Sequence, residues 1–247
     1  MSTPVIYDKV LRLARTAQTT QPFQDHLDIG SGQGELIRIL RAEMGVCSRA
    51  CDYTDSLMRL EGQSVDVANL NEEKLPYPDA SFDLVTATEV IEHLEHYRET
   101  LREIHRVLRP GGVCILSTPN VLNINSRLRY FFTGFANLFG PLPIKNSALY
   151  STGGHINPVG YFYIAHSLYD AGFHQVQGTM DKPQRSGLWK LLLLGPLIWA
   201  GAALAWSKER RRYHTITPEN QPILHRINSL DLLLGRTVIV TAHKEKP

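Results

Sequence analysis

The sequence predicts an α/β fold built on a mostly parallel sheet with helices on both faces. Two observations predict it. From residue 26 onward, short apolar runs alternate with stretches of helical spacing, the pattern of repeated βαβ units. A glycine-rich string, Leu27-Asp28-Ile29-Gly30-Ser31-Gly32-Gln33-Gly34, stands where the first run ends and a helical stretch opens. Open parallel sheets bind their ligands at that place.

The elements follow in order. Residues 4–18 carry Val5, Ile6, Val10, Leu11 and Leu13 at roughly helical spacing. Residues 26–29 read as a strand, 34–44 as a helix, 46–51 as a strand, 65–67 as a weak strand and 82–88 as another. Residues 89–108 predict one long helix, with Val90, Ile91, Leu94, Leu101, Ile104, Val107 and Leu108 on one side. Arg109-Pro110-Gly111-Gly112 ends it, and 113–117 is the next strand. The pattern then breaks into mixed Gly, Pro, Asn and aromatic residues, so 119–157 reads as a substrate-side insertion. A helix over 158–171 and strands over 173–179 and 236–243 complete the fold, with a second insertion over 181–231.

The 247 residues suffice for a single domain over 1–247 carrying both insertions. With 26 basic and 24 acidic residues the formal charge is only +2, which argues against a nucleic-acid partner. Cys47, Cys51 and Cys114 form no CxxC and lie in apolar stretches, so all three are expected to be buried thiols. Residues 1–13 hold no long apolar core. Both features point to a cytoplasmic protein.

The glycine loop suits a cation. A dinucleotide site wants a small residue three places after its second glycine, where this chain has Glu35. Asp28 would repel a pyrophosphate and attract an ammonium or sulfonium; a nicotinamide-dependent oxidoreductase is the disfavoured rival. Asp52 ends the second strand, where an acid accepts both ribose hydroxyls, and a carboxylate at Asp66 can meet the exocyclic amine of adenine. Next come Leu75-Pro76-Tyr77-Pro78-Asp79-Ala80-Ser81-Phe82-Asp83-Leu84-Val85, Glu89-Val90-Ile91-Glu92-His93-Leu94, and Leu108-Arg109-Pro110-Gly111-Gly112.

This ordered set resembles the class I methyltransferases that use S-adenosylmethionine. The resemblance covers roughly residues 24–118. It implies a Rossmann-like, seven-stranded, mostly parallel sheet whose last strand is antiparallel. It implies cofactor contacts at Asp28, Gly30, Ser31, Gly32, Gly34, Asp52, Asp66 and Val67, with Thr88 and Glu89 at the methyl end. The segment Tyr53-Thr54-Asp55 after Asp52 is less typical of the family.

On the predicted helix, Glu89, Glu92 and His93 stand at i, i+3 and i+4 and share one face. With His155 as a fourth ligand they suit magnesium or manganese. The spacing, the strand end Ser117-Thr118-Pro119-Asn120 and the later histidine are similar to two metal-using groups. One methylates the terminal ribose of small RNAs; the other acts on catechol-type ubiquinone precursors. The alternatives are a metal-free site in which His93 or His155 is the base, with Glu92 supporting, and a purely structural set.

The first insertion mixes Arg127 and Arg129 with Tyr130, Phe131, Phe132, Phe135, Leu138 and Phe139, either a cover for a partly apolar acceptor or an ordinary lid. The second is uncharged from Leu191 to Trp206 and is followed by Lys208, Arg210, Arg211 and Arg212. A membrane crossing would strand the final β-strand on the wrong side. Gly195-Pro196 predicts a break, giving a short re-entrant or surface-lying element. The tryptophans and the basic cluster suit an anionic membrane surface; a buried lid or dimer contact is the alternative. The expectation is an O-methyltransferase acting on a small or lipid-linked acceptor, a glycan or a quinone precursor, at the inner face of the membrane. A non-catalytic cofactor-binding scaffold is the rival from another class.

Overall fold

The computed structural model describes residues 3–18, 22–142 and 154–246. Seven strands form one sheet: β1 (Asp25–Ile29), β2 (Cys47–Asp52), β3 (Val65–Val67), β4 (Phe82–Thr88), β5 (Leu108–Pro119), β6 (Phe173–Met180) and β7 (Thr237–Lys244). Their spatial order is β3-β2-β1-β4-β5-β7-β6. β1 to β5 run parallel, and β7 is antiparallel to both neighbours. The order reverses between β1 and β4, so the crevice at the strand carboxyl ends opens beside the glycine loop.

Alternate side chains of each strand feed two cores. Leu27, Ile29, Cys51, Val85, Ala87 and Cys114 face α3 (Tyr97–Val107) and α5 (Tyr161–Asp170). Leu84, Val113, Ile115 and Ile239 face α1 (Pro4–Ala17) and α2 (Glu35–Met44). A third cluster, Ile124, Leu191, Leu233 and Leu234, joins α4 (Ile124–Thr133), α6 (Arg185–Lys208) and α8 (Leu230–Leu234). Between α6 and α8 lies α7 (Gln221–Ile227).

Several expectations are corrected. The helix over 89–108 does not exist as one piece. Glu89 takes a left-handed conformation with φ 57°, Ile91–His93 makes a single 3-10 turn, and α3 begins only at Tyr97. The reason is tertiary: Glu89 N donates to Ser117 O, and the Glu92 carbonyl accepts from Ile156 N and Asn157 N. The Glu92 carbonyl, which a continuous helix would pair with His96 N, is thereby taken by the later chain. The strand expected at 113–117 starts at Leu108, with a register irregularity opposite Phe82 and Leu84. Of the three thiols, Cys51 and Cys114 are buried, whereas Cys47 at the mouth of β2 is exposed.

The first insertion contains α4, capped by Asn123, whose side chain accepts from Ser126 N; its residues 143–153 lie outside the described residues. The break at Gly195-Pro196 is absent, because α6 runs through Pro196 unbroken. Leu191, buried at its inner face, joins Ile124, Leu233 and Leu234. Past the proline, Trp199 Nε1 donates to Asn228 O at 3.1 Å. These anchors hold the axis on both sides of the proline.

Candidate active site

The loop after β1 is shaped by left-handed glycines. Gly30 (φ 68°) donates to Cys51 O at 2.8 Å, and a Cβ there would lie 2.4 Å from Val90 Cγ2. Gly34 (φ 81°) caps α2, and a Cβ there would meet Met58 Sδ at 2.7 Å. Only glycine supplies both the angle and the missing atom. Ser31 N reaches Cys51 O, while Ser31 Oγ is buried with no partner among the described residues.

Two carboxyls lie beneath this loop. Asp52 closes β2; its Oδ2 accepts from Gly32 N at 2.8 Å and its Oδ1 from Tyr53 N at 2.7 Å. Burial pushes it up, against those backbone donors. Asp28, buried in the sheet, is pushed up to about 7 by burial; the Thr86 hydroxyl opposes the rise and the Asp52 charge adds to it.

Asp28 ends a directed chain of buried hydrogen bonds. Thr86 Oγ1 donates to Asp28 Oδ1 at 2.6 Å. That hydroxyl then accepts from His26 Nε2–H at 2.8 Å, and His26 Nδ1 accepts from Ser48 Oγ–H at 2.9 Å. Burial holds His26 down at about 3, so it is neutral, as the chain requires.

A buried carboxyl pair, an orphaned hydroxyl and a loop without cationic side chains fit an adenosyl ligand bearing an ammonium and a sulfonium. Both Asp52 oxygens retain lone pairs for hydroxyl donors. Asp66 is placed differently from the rest. It lies one residue short of the end of β3, and its Oδ2 accepts from Tyr77 Oη at 2.8 Å and from Arg49 Nη2 at 3.0 Å. Val67, at the strand end, is exposed. Ala68 N donates to Asp52 O, and the Oδ1 of half-buried Asn69 accepts from Asn71 N at 3.2 Å.

The end of β4 carries the second group of polar residues. Thr88 closes the strand, and Glu89 Oε1 accepts from Ser117 Oγ at 3.1 Å. Glu92 is fully buried; its Oε2 accepts from Thr118 Oγ1 at 3.0 Å. Its Oε1 has no partner among the described residues. His93 Nδ1–H donates to Gly154 O at 3.0 Å, which leaves Nε2 as an acceptor. His155 packs edge-on against His93 with ring centroids 4.8 Å apart, and also against Phe139. Its Nδ1 is buried with no hydrogen-bond partner among the described residues.

Ligand atoms of Glu92, His93 and His155 lie within 4.8 Å of one another. Glu89 is not part of that group, because its left-handed backbone and Ser117 turn it aside. Of the expected set, three residues on one helix face with His155 as a fourth, the structure brings together Glu92 and His93 from a turn and His155 from a distant loop. Burial, then the Glu89 charge, pushes Glu92 up to about 8. Burial lowers both histidines, His93 further through His155. At neutral pH the cluster holds neutral imidazoles, which can take up a proton.

A family described as a methyltransferase domain matches residues 27–116, the span from the first strand through the fifth. Over those residues the chain is similar to the class I methyltransferases. A probable S-adenosylmethionine-dependent methyltransferase of Mycolicibacterium smegmatis is 39% identical over 104 residues, covering 39% of this chain and 38% of that one. A demethylmenaquinone methyltransferase of Geobacillus stearothermophilus is 30% identical over 111 residues, covering 40% of this chain and 47% of that one. The matched part of the chain thus spans less than half the length of these curated relatives. The crystal structure of an S-adenosylmethionine-dependent methyltransferase from Archaeoglobus fulgidus superposes with a TM-score of 0.58 at 19% identity, covering 96% of this chain and 94% of that one. At that identity the likeness speaks for the fold alone.

Proposed function

We propose that this methyltransferase moves the methyl group of S-adenosylmethionine to a hydroxyl of a small or lipid-linked acceptor. The observation that carries the reading is the convergence of Glu92, His93 and His155, which bring ligand atoms within 4.8 Å of one another after β4, with Glu92 Oε1 and His155 Nδ1 lacking hydrogen-bond partners among the described residues. The cofactor, when bound, supplies an electrophilic methyl on a sulfonium. Asp28 and Asp52 hold its cationic and ribose ends.

The acceptor hydroxyl gives its proton to an imidazole of the cluster. Its oxygen forms the new bond to the methyl carbon in line with the bond that breaks, and that electron pair returns to sulfur. Neutral His93 and His155 are the bases, and protonated Glu92 donates a hydrogen bond to the acceptor. The donor set of one carboxylate and two imidazoles also fits a divalent ion such as manganese or magnesium. Glu92, His93 and His155 would hold it, and it would lower the acceptor's pKa.

A second reading is methylation at carbon. It is favoured by the demethylmenaquinone methyltransferases among the relatives. A ring hydroxyl deprotonated by the same cluster delivers its charge to an adjacent ring carbon, which bonds the methyl as the carbon–sulfur bond breaks and its electron pair returns to sulfur; that ring carbon then loses its own proton, restoring the aromatic ring.

Incubation with methyl-labelled S-adenosylmethionine and a set of catechols, hydroquinones and vicinal-diol sugars tests both readings. Label is expected in at least one hydroxyl-bearing acceptor, on oxygen for the first reading and on carbon for the second. His155→Ala is expected to reduce the rate at least a hundredfold. Absence of transfer to every such acceptor, with cofactor binding intact, sinks the proposal.

A further inference from the structure

The surface built by α4 and α6 is an apolar feature that is left uncovered among the described residues. α6 meets the protein along one narrow seam, with only Gly187, Leu191 and Gly195 buried. Outward it presents Leu188, Trp189, Leu192 (84% exposed), Leu193, Leu197 and Leu204 (76% exposed). Beside it, α4 presents Phe131 (80% exposed) and Phe132 (77% exposed). A soluble monomer rarely displays so continuous an apolar area.

We infer that this surface docks onto an anionic lipid bilayer, with α6 lying in the plane of the interface. Three observations select that occupant. First, β6 precedes α6 and β7 follows it, yet the two strands are hydrogen-bonded neighbours, and Trp199 in the middle of α6 bonds to Asn228 on the returning chain. Both ends of the helix therefore belong to one side of any membrane. Second, Lys208, Arg210, Arg211 and Arg212 follow the apolar stretch and are exposed, while Glu209 is the one acid between Arg185 and Tyr213. That charge complements lipid phosphates. Third, Trp189 and Trp199 are exposed along the same helix, and amphipathic indoles favour the headgroup level.

Docking on lipid stands independently of the methyl-transfer reading. One consequence rests on that reading: the chain leaving α4 reaches Phe139, which packs on His155. The platform and the proposed reaction cluster are thus joined through one short segment of chain.

Flotation with extruded vesicles tests the docking on the full chain. Vesicles of phosphatidylcholine with one quarter phosphatidylglycerol are compared with phosphatidylcholine alone. Three proteins are used: wild type, Leu192→Glu/Leu193→Glu/Leu197→Glu, and Arg210→Gln/Arg211→Gln/Arg212→Gln. Thermal unfolding and S-adenosylhomocysteine binding confirm each fold, and they report on the cofactor site separately from the lipid site.

Wild type is expected to float with the anionic vesicles. The arginine variant should bind them roughly fivefold more weakly for each charge removed, the equivalent of about 1 kcal/mol per residue. The leucine variant should remain at the bottom. Failure of folded wild type to float on either vesicle overturns the inference. So does a concentration-dependent dimer that the leucine variant converts to monomer, because the surface would then be an interface between copies. Flotation without methyl transfer to any acceptor leaves the docking in place and removes only the proposed reaction.

Discussion

Thr86→Val probes how the fold holds Asp28 ready for a cation. Valine matches threonine in shape, so the change removes a buried hydroxyl and little else. Thr86 Oγ1 donates to Asp28 at 2.6 Å and accepts from His26 at 2.8 Å. A hydrogen bond to a charged acceptor contributes about 1.5–3 kcal/mol, which corresponds to a rise of roughly 1–2 units in the Asp28 pKa. That pKa already stands at about 7. At pH 7 the ionised share of Asp28 should therefore fall from about half to roughly 1–10%.

Affinity for S-adenosylmethionine should then drop roughly five- to fiftyfold at pH 7. The gap should close as pH rises to about 9.5, where Asp28 is ionised in both proteins. Isothermal titration calorimetry from pH 6 to 9.5 measures this, taking the ratio of variant to wild type at each pH so that the ligand's own titration cancels. Thr86→Ser keeps the hydroxyl and should restore most of the affinity. A ratio that is flat with pH would show that Thr86 serves only packing, and the account of Asp28 would be wrong.

Gly30→Ala combines an unfavourable left-handed backbone with a Cβ 2.4 Å from Val90 Cγ2. It should lower the melting temperature by roughly 5 °C and weaken cofactor binding more than tenfold, as checked by thermal shift with and without S-adenosylhomocysteine. Electron paramagnetic resonance should detect one manganese site in the presence of S-adenosylhomocysteine, weakened by both Glu92→Gln and His155→Ala but not by Glu89→Gln; equal weakening by all three would restore Glu89 to the ligand set. His26, ordinarily near 6.5 and held at about 3, stays neutral in the fold while the unfolded chain protonates. Its contribution to stability is therefore full above pH 6.5 and is lost as pH falls toward 3, at up to about 1.4 kcal/mol per unit. Urea unfolding at pH 6.5, 5.5 and 4.5 should show a shallower decline in His26→Asn than in wild type.

The alternation of strands and helices was legible because strands buried on both faces must be apolar throughout, and Leu27, Val85 and Ile115 are such residues. The glycine loop was legible because left-handed backbone at Gly30 and Gly34 leaves few other residue choices. These are local requirements, written where they act. Asp66 illustrates the limit of reading a charge from its position. Its carboxylate is engaged by Tyr77 and Arg49, partners that only the folded sheet brings together.

The sequence by itself determined the sheet, its helices, the ligand-binding loop and an apolar second insertion, since each rests on short-range periodicity or backbone angle. Tertiary structure decided the rest. It broke the expected helix by turning Glu89 left-handed and tying the Glu92 carbonyl to residues 156 and 157. It carried α6 through Pro196 by anchoring both sides of the proline, and it placed His155 against His93 while leaving Glu89 outside. Those outcomes depend on contacts between residues far apart in the chain, whose strength comes from burial and geometry that no local pattern encodes.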